Sequence, residues 1–357
     1  MRLFRATVCV IGLFAVLFAG ASAGAVEWDM FRQGQQRLGS TDSTLAPPLS
    51  VKWTFEAEGP IFSSPVASGG TVFVGSRDNR LYAIDESTGL EKWRFETEGW
   101  VDSTPAVYDG KVYAASRDGN VYAIDAKTGQ LHWKSEVGGT HCSSPMVSDG
   151  RLVLGAGYPG KFVVALDVDT GKELWKFETG QTVYSSAAHL GGTVFIGAND
   201  GKYYALNPVN GEEKWSAQTK GGIYFSTPAV RDDVVFAAPG DYDRNIYAWK
   251  AGDGEPAWKY NIMGSGKILV SSPAADGEVV YIVAGYPDVK LYALAQSTGA
   301  LLWATPAGTA TQYGYLSSPA VGSEYLWIGA GDGKLLTIDK ASGKIKNEID
   351  LGEPILS

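Results

Sequence analysis

Short apolar runs bounded by turn residues recur along this chain and set its fold. Thr71-Val72-Phe73-Val74, Lys111-Val112-Tyr113-Ala114 and Thr193-Val194-Phe195-Ile196 are strand-like runs of β-branched and aromatic residues. Turns such as Asp118-Gly119, Asp200-Gly201 and Asp332-Gly333 follow them. A third run then reads Tyr82-Ala83-Ile84-Asp85, Tyr122-Ala123-Ile124-Asp125 or Tyr204-Ala205-Leu206-Asn207. Ahead of each group stands Ser-Ser-Pro or a variant: Ser63-Ser64-Pro65, Ser103-Thr104-Pro105, Ser143-Ser144-Pro145, Ser185-Ser186-Ala187, Ser226-Thr227-Pro228, Ser271-Ser272-Pro273 and Ser317-Ser318-Pro319. A short apolar stretch and a tight turn such as Asp109-Gly110, Asp149-Gly150 or Asp276-Gly277 follow it, with Gly accepting the positive φ that other residues resist. The group ends in a Thr-Gly turn and a tryptophan-bearing run. Four short strands joined by tight turns predict one antiparallel sheet per unit, and no stretch carries a sustained helical period.

The closing element repeats most strictly. It reads Thr88-Gly89-x-x-x-Trp93, Thr128-Gly129-x-x-x-Trp133, Thr170-Gly171-x-x-x-Trp175, Asn210-Gly211-x-x-x-Trp215 and Thr298-Gly299-x-x-x-Trp303, with Trp258 after the degenerate Asp253-Gly254. A period of roughly forty to forty-five residues marks one supersecondary unit copied many times. A single small twisted sheet cannot bury both faces, whereas copies stacked around an axis can. The fold expected is therefore all-β: a β-propeller of four-stranded antiparallel blades. Ala83, Ala123, Ala205 and Ala248 suit close approach of neighbouring sheets. Trp53, Trp93, Trp133, Trp175, Trp215, Trp258 and Trp303 suit the wider gaps, as structural residues contributing up to about 3–5 kcal/mol each.

Ring closure has two readings. Seven repeats are complete, with partial strands of a further blade at the two ends. Val51-Lys52-Trp53-Thr54-Phe55 matches only a fourth strand, and Gly352 to Ser357 matches only the entry to a first one. Either the chain stops within an eighth blade, or the strand of Trp53 completes a seven-bladed ring. Asn347, standing where the seventh unit should have Trp, favours the latter.

The N-terminus lies outside this pattern. Arg2 and Arg5 precede an apolar Val8 to Ala19, and Ala21-Ser22-Ala23 has the form of a cleavage site, so residues 1–23 read as a secretory signal peptide. Residues 24–48 form a lead-in, and residues 49–357 the propeller. The product is expected to be periplasmic or secreted, with no transmembrane span in the mature chain. Removing the leader takes two of 30 basic residues and leaves 28 against 39 acidic ones, a net charge of −11 that argues against nucleic acid as a partner. Cys142 then stands alone, so the fold must rest on packing rather than on an internal disulfide.

Candidate chemistry is sparse. Asp241-Tyr242-Asp243-Arg244-Asn245 begins like a calcium loop but lacks the following Gly and the closing Glu, and is read as a polar turn. Gly157-Tyr158-Pro159 and Gly285-Tyr286-Pro287 are read as longer turns. His132, His141 and His189 share no metal-ligand spacing. No nucleophile elbow or phosphate loop is present. The connections ahead of each Ser-Ser-Pro should gather on one face near the axis. They carry Trp100, Asp102, His141, Tyr184, Tyr224, Phe225, Lys267, Tyr313 and Tyr315, which either plug the ring entrance or bind a partner.

The shared pattern of Ser-Ser-Pro, Tyr-Ala-Leu/Ile-Asp and Thr-Gly-x-x-x-Trp resembles the repeats of the pyrroloquinoline-quinone-type β-propellers over roughly residues 49–357. Trp28-Asp29-Met30-Phe31-Arg32 and Gly39 resemble the opening of secreted members. That family implies two kinds of function. Quinoprotein dehydrogenases hold the quinone and a calcium ion above the ring axis and carry an adjacent Cys-Cys pair, which this chain lacks. Non-catalytic members include the scaffold subunit of the outer-membrane β-barrel assembly machinery, which the chain resembles more, although it lacks a lipid-anchor cysteine. The resemblance implies a non-enzymatic extracytoplasmic scaffold for protein partners in the cell envelope, with no cofactor. The alternatives are a dehydrogenase using pyrroloquinoline quinone and Ca²⁺, or a carbohydrate-binding propeller.

Overall fold

The computed structural model describes residues 6–11, 27–139, 143–240, 243–262, 271–284, 289–308 and 317–355. Seven four-stranded antiparallel sheets follow one another along the chain, each made of strands consecutive in sequence. They span residues 66–96, 106–136, 146–178, 188–218, 229–261, 274–306 and 320–350, and are numbered here as blades 1 to 7. Among the described residues there is no helix, and so none long and apolar enough to cross a membrane.

The register explains the repeat. In blade 1, Val66, Phe73, Ala83 and Trp93 lie opposite one another across the four strands. Blade 2 aligns Ala106, Tyr113, Ala123 and Trp133 in the same row. The tryptophan ends this row on the outermost strand and reaches the neighbouring blade. Trp93 Nε1 donates to the carbonyl of Ala126 at 3.1 Å, and the Trp133 Nε1 donates to Val168 O at 3.0 Å. Trp175, Trp215, Trp258 and Trp303 repeat the contact onto Pro208, Ala251, Gln296 and Lys340. Under each indole lies the glycine of the next Thr-Gly turn. A Cβ on Gly129, which has φ +73°, would stand 2.8 Å from the Trp93 ring. Glycine is required there both for its φ and for the space.

A second linkage runs around the axis. The amide of Ser64 donates to Thr104 Oγ1, that of Thr104 to Ser144 Oγ, and that of Ser144 to Ser186 Oγ, at 2.8 to 3.0 Å. Ser186, Thr227 and Ser272 continue the belt through Thr227, Ser272 and Ser318. From the second Ser-Ser-Pro element to the seventh, the second hydroxyl residue is thus an acceptor for the preceding blade.

The expectation that the Trp53 strand completes a seven-bladed ring is corrected. Blade 7 already has its own fourth strand, Ile345–Asp350, paired with Lys334–Asp339. Val51–Ala57 belongs to none of the seven sheets and lies antiparallel along Ala6–Ile11; the rest of the expected leader is outside the described residues. Trp53 nevertheless makes the standard contact, lying on Gly89 and donating to Glu86 O at 2.9 Å, as an outer strand preceding blade 1 would. At the other end, Ile355 lies over Gly329 as Val101 lies over Gly75.

The lead-in is inside the ring, not ahead of it. Trp28 pairs with Ala67 of blade 1. The carbonyls of Asp29, Gln35, Gln36, Leu38 and Gly39 accept from Val107, His189, Val230, Ala275 and Val321, the second residue of the innermost strand in blades 2, 4, 5, 6 and 7. Two fully buried guanidinium groups complete the plug. Arg32 donates to Pro319 O at 2.6 Å and Pro273 O at 2.8 Å. Arg37 donates to Ala187 O at 2.8 Å, Pro145 O at 2.9 Å and Phe31 O. Burial pulls both down to about 9, which leaves them charged at neutral pH. Gly39 makes room, since a Cβ there would meet the Arg32 guanidinium.

His189 sits in the same plug, with Nδ1 3.0 Å from Ser148 Oγ and 3.3 Å from Gln35 Oε1. Its Nε2 is buried without a partner among the described residues. Burial pulls its pKa below that of a free imidazole, opposed by Asp149 and reinforced by Lys214.

Two outcomes follow. Arg37→Ala strips donors from three carbonyls, two of them in blades 3 and 4, and should cost about 3–5 kcal/mol in denaturant unfolding. The exposed Lys127→Ala should stay within about 0.5 kcal/mol, and equal midpoints for the two would refute the plug. For His189 the folded state resists a proton that the unfolded chain accepts near its ordinary value of about 6.5. Stability should therefore fall as pH drops through that value and level off below the folded pKa. His189→Gln should remove this component of the pH profile; an unchanged difference between pH 7 and 5 would contradict it.

Candidate docking site on the loop face

In blades 1, 2, 4 and 5 the turn between the second and third strands and the entering connection lie on the same face, pinned together by one aspartate. Asp78 Oδ2 accepts from the Glu58 amide at 3.0 Å and from the Tyr82 hydroxyl at 2.7 Å. Asp118 does the same for Glu98 and Tyr122, Asp200 for Gly180 and Tyr204, and Asp243 for Lys220 and Tyr247. Burial first, then the neighbouring carboxylate, push the phenols of Tyr82 and Tyr122 up to about 12, so they remain donors. The calcium-like stretch resolves into this device. Both Asp243 oxygens accept hydrogen bonds, Oδ1 from Asn245 and Oδ2 from Lys220 and Tyr247. Asp241 and Tyr242 lie outside the described residues.

The connections are thus held rigidly, and the side chains they present fall into two groups. Tyr184, Tyr224 and Phe225 form one, with Tyr184 and Phe225 stacked at 5.9 Å and Tyr224 6.5 Å from Phe225. Tyr224 and Phe225 are exposed. Trp100 and Asp102 form the other. Trp100 is 42% exposed, while the carboxylate of Asp102 is buried. His141, Lys267, Tyr313 and Tyr315 lie outside the described residues, as do Cys142 and Tyr286. Tyr158 stands 72% exposed on its turn.

Two residues that the sequence did not single out complete the second group. Arg77 reaches Asp102 side-on, Nε to Oδ1 at 2.8 Å and Nη2 to Oδ2 at 3.1 Å. Arg117 Nη2 is 2.7 Å from Asp102 Oδ2. The guanidinium carbons lie 4.7 Å and 5.1 Å from the Trp100 ring, and that of Arg77 is 3.5 Å from Phe62. The available signal was a departure from the repeat: the first two units read Ser76-Arg77-Asp78 and Ser116-Arg117-Asp118, where the fourth reads Ala198-Asn199-Asp200. Among the described residues no three His, Cys, Asp or Glu side chains converge to hold a metal ion.

Comparison with known proteins places this architecture. The structure superposes on BamB from Moraxella catarrhalis with a TM-score of 0.68 and 19% identity, over 82% of this chain and 86% of that one. It also superposes on two dehydrogenases, with somewhat higher scores. The quinohemoprotein alcohol dehydrogenase from Comamonas testosteroni matches with a TM-score of 0.79 and 15% identity over 94% of this chain and 74% of that one. A europium-containing methanol dehydrogenase matches with a TM-score of 0.75 and 14% identity over 93% and 86%. At such identities the likeness is one of fold. No curated protein matches the sequence. The family model described as outer membrane protein assembly factor BamB, however, matches residues 21–141, 99–237 and 219–355. With its repeats accounted for from end to end, the chain belongs to that family of PQQ-like repeat β-propellers.

Proposed function

We propose that this chain is a non-enzymatic scaffold of the cell envelope that docks partner proteins on its loop face, in the service of outer-membrane protein assembly. The observation that carries the reading is the contrast between frame and face. The interior repeats blade after blade, while the entering connections differ and present Trp100, Tyr224 and Phe225 to solvent from clamped backbone. Rigid aromatic side chains bury large area at little entropic cost, which suits protein recognition. The family description supports the assembly role. The basic-apolar-small N-terminus supports export to the periplasm or beyond.

The same reading extends to an eighth blade position. Val51–Ala57 and Ile355 flank blades 1 and 7 as an outer strand and an entering connection do elsewhere, and the hydroxyl belt runs from the Ser64 amide to the Ser318 hydroxyl. A further sheet seated between them would continue both linkages.

A calcium-held quinone is the competing assignment, from the dehydrogenases of the same fold. Two observations on the described residues weigh toward the scaffold instead. No metal-ligand cluster converges, and the guanidinium groups at the centre of the ring donate to backbone carbonyls.

Two measurements test the scaffold. Cross-linking the tagged chain in envelope extracts should capture outer-membrane assembly components. Tyr224→Ala with Phe225→Ala should reduce that capture at least about tenfold at an unchanged unfolding midpoint; undiminished capture removes the loop face from the interaction. Separately, the protein incubated with pyrroloquinoline quinone and Ca²⁺ should reduce no dye in the presence of alcohols or sugars. Turnover would assign it to the dehydrogenases.

A further inference from the structure

We infer that the Arg77–Trp100–Arg117 cluster is a receptor for a carboxylate that a partner protein carries beside an apolar ring, an inference that rests on the loop-face reading above. Two guanidinium groups share one carboxylate, so the cluster keeps an excess positive charge on a chain whose net charge is −9. Asp102 itself is inaccessible, with 1% of its side chain exposed, whereas Arg77 and Arg117 keep 22% and 31%. The donors divide accordingly. Arg77 spends Nε and Nη2 on Asp102 and Arg117 spends Nη2, which leaves an Nη1 on each without a partner among the described residues. Arg117 Nε is unpartnered among them too, but it is buried and out of a ligand's reach.

The geometry holds these donors ready. Stacking on Trp100 and Phe62 fixes the guanidinium planes, and a planar fork held in advance loses little entropy when it binds a carboxylate. Backbone hydrogen bonds secure both arms, from Arg77 N to Pro60 O at 2.9 Å and from Arg117 N to Trp100 O at 2.8 Å. Asp102 therefore acts as a positioning residue that sets the two arginines on either side of the indole. The exposed part of Trp100 supplies an apolar surface next to the cations, so the fitting ligand is a Glu or Asp flanked by an aromatic or large apolar side chain. The arrangement is local to blades 1 and 2. Where blade 2 has Asp102 at the last position before its Ser element, blades 1, 4 and 5 have Phe62, Tyr184 and Phe225.

The test uses the full chain and three synthetic peptides, acetyl-Gly-Phe-Glu-Phe-Gly-amide and its Gln and Lys counterparts, titrated by calorimetry and by tryptophan fluorescence. The Glu peptide should bind, with the Gln and Lys peptides weaker by at least about tenfold. Arg117→Gln and Arg77→Gln should each lose about tenfold, and Arg117→Lys less. Trp100→Leu should weaken the Glu peptide and abolish the fluorescence change, while Tyr224→Ala with Phe225→Ala should leave it unaltered. Unfolding midpoints identify any variant that fails to fold, and Trp100→Leu keeps the question open to test if an arginine variant does. Equal binding of the Glu and Gln peptides, undiminished affinity in the folded arginine variants, binding of trigalacturonate in preference to the peptide, or no peptide binding at all would each overturn the inference. No envelope capture by the unmutated chain, with the Glu peptide still bound, would instead refute the scaffold reading and leave this site standing.

Discussion

The seating of an indole on a glycine of the neighbouring sheet is the contact from which the ring is built. Blades 1 to 6 each supply a tryptophan at the end of the cross-strand row and a bare turn at the opposite corner, so each is both plug and socket. The contact joins apolar burial, a directed Nε1 hydrogen bond and a backbone conformation that only glycine takes without strain. Because all three act on the same pair of residues, neighbouring blades lock at one angle. The hydroxyl belt near the axis fixes the same angle from inside. Everything on the loop face inherits its position from these two linkages.

That rigidity frees the connections to vary. The aspartates that clamp them recur, while the residues they carry forward do not, and this separates framework from display. Where the display departs furthest from the repeat, two arginines and a tryptophan gather around a buried carboxylate. Where it stays closer, aromatic side chains stack on one another. A propeller that shares its frame with both scaffolds and dehydrogenases is thus distinguished by a few loop positions, and fold likeness alone does not choose between the two.

The frame was legible in the sequence because its contacts recur with the repeat. Trp93 and Gly129 announce each other through equal spacing, as do Trp133 and Gly171. The plug was not legible, since Arg32 and Arg37 bind backbone carbonyls, which leave no mark on residue identity and, apart from that of Phe31, lie 108 to 287 positions away. Arg77 and Arg117 were hidden differently: they stand on the second turn of their blades, one turn away from the connections that carry the aromatic residues. The seventh blade misled for a local reason. Asn347 stands in the tryptophan's place, yet its strand still pairs with Lys334–Asp339.

The central plug also dictates an order of events. Residues 28–39 leave the ribosome before any blade exists, yet their partners include Val321, near the end of the chain. The first-made segment is therefore the last to find its full set of contacts. Until blade 7 arrives, two cations destined for burial stay in water and the innermost strands stay open to pairing with other chains. A polypeptide that crosses a membrane amino-end first would have to travel in this unfinished condition. The order in which the plug's contacts can be completed is thus written into where the chain begins its path through the fold.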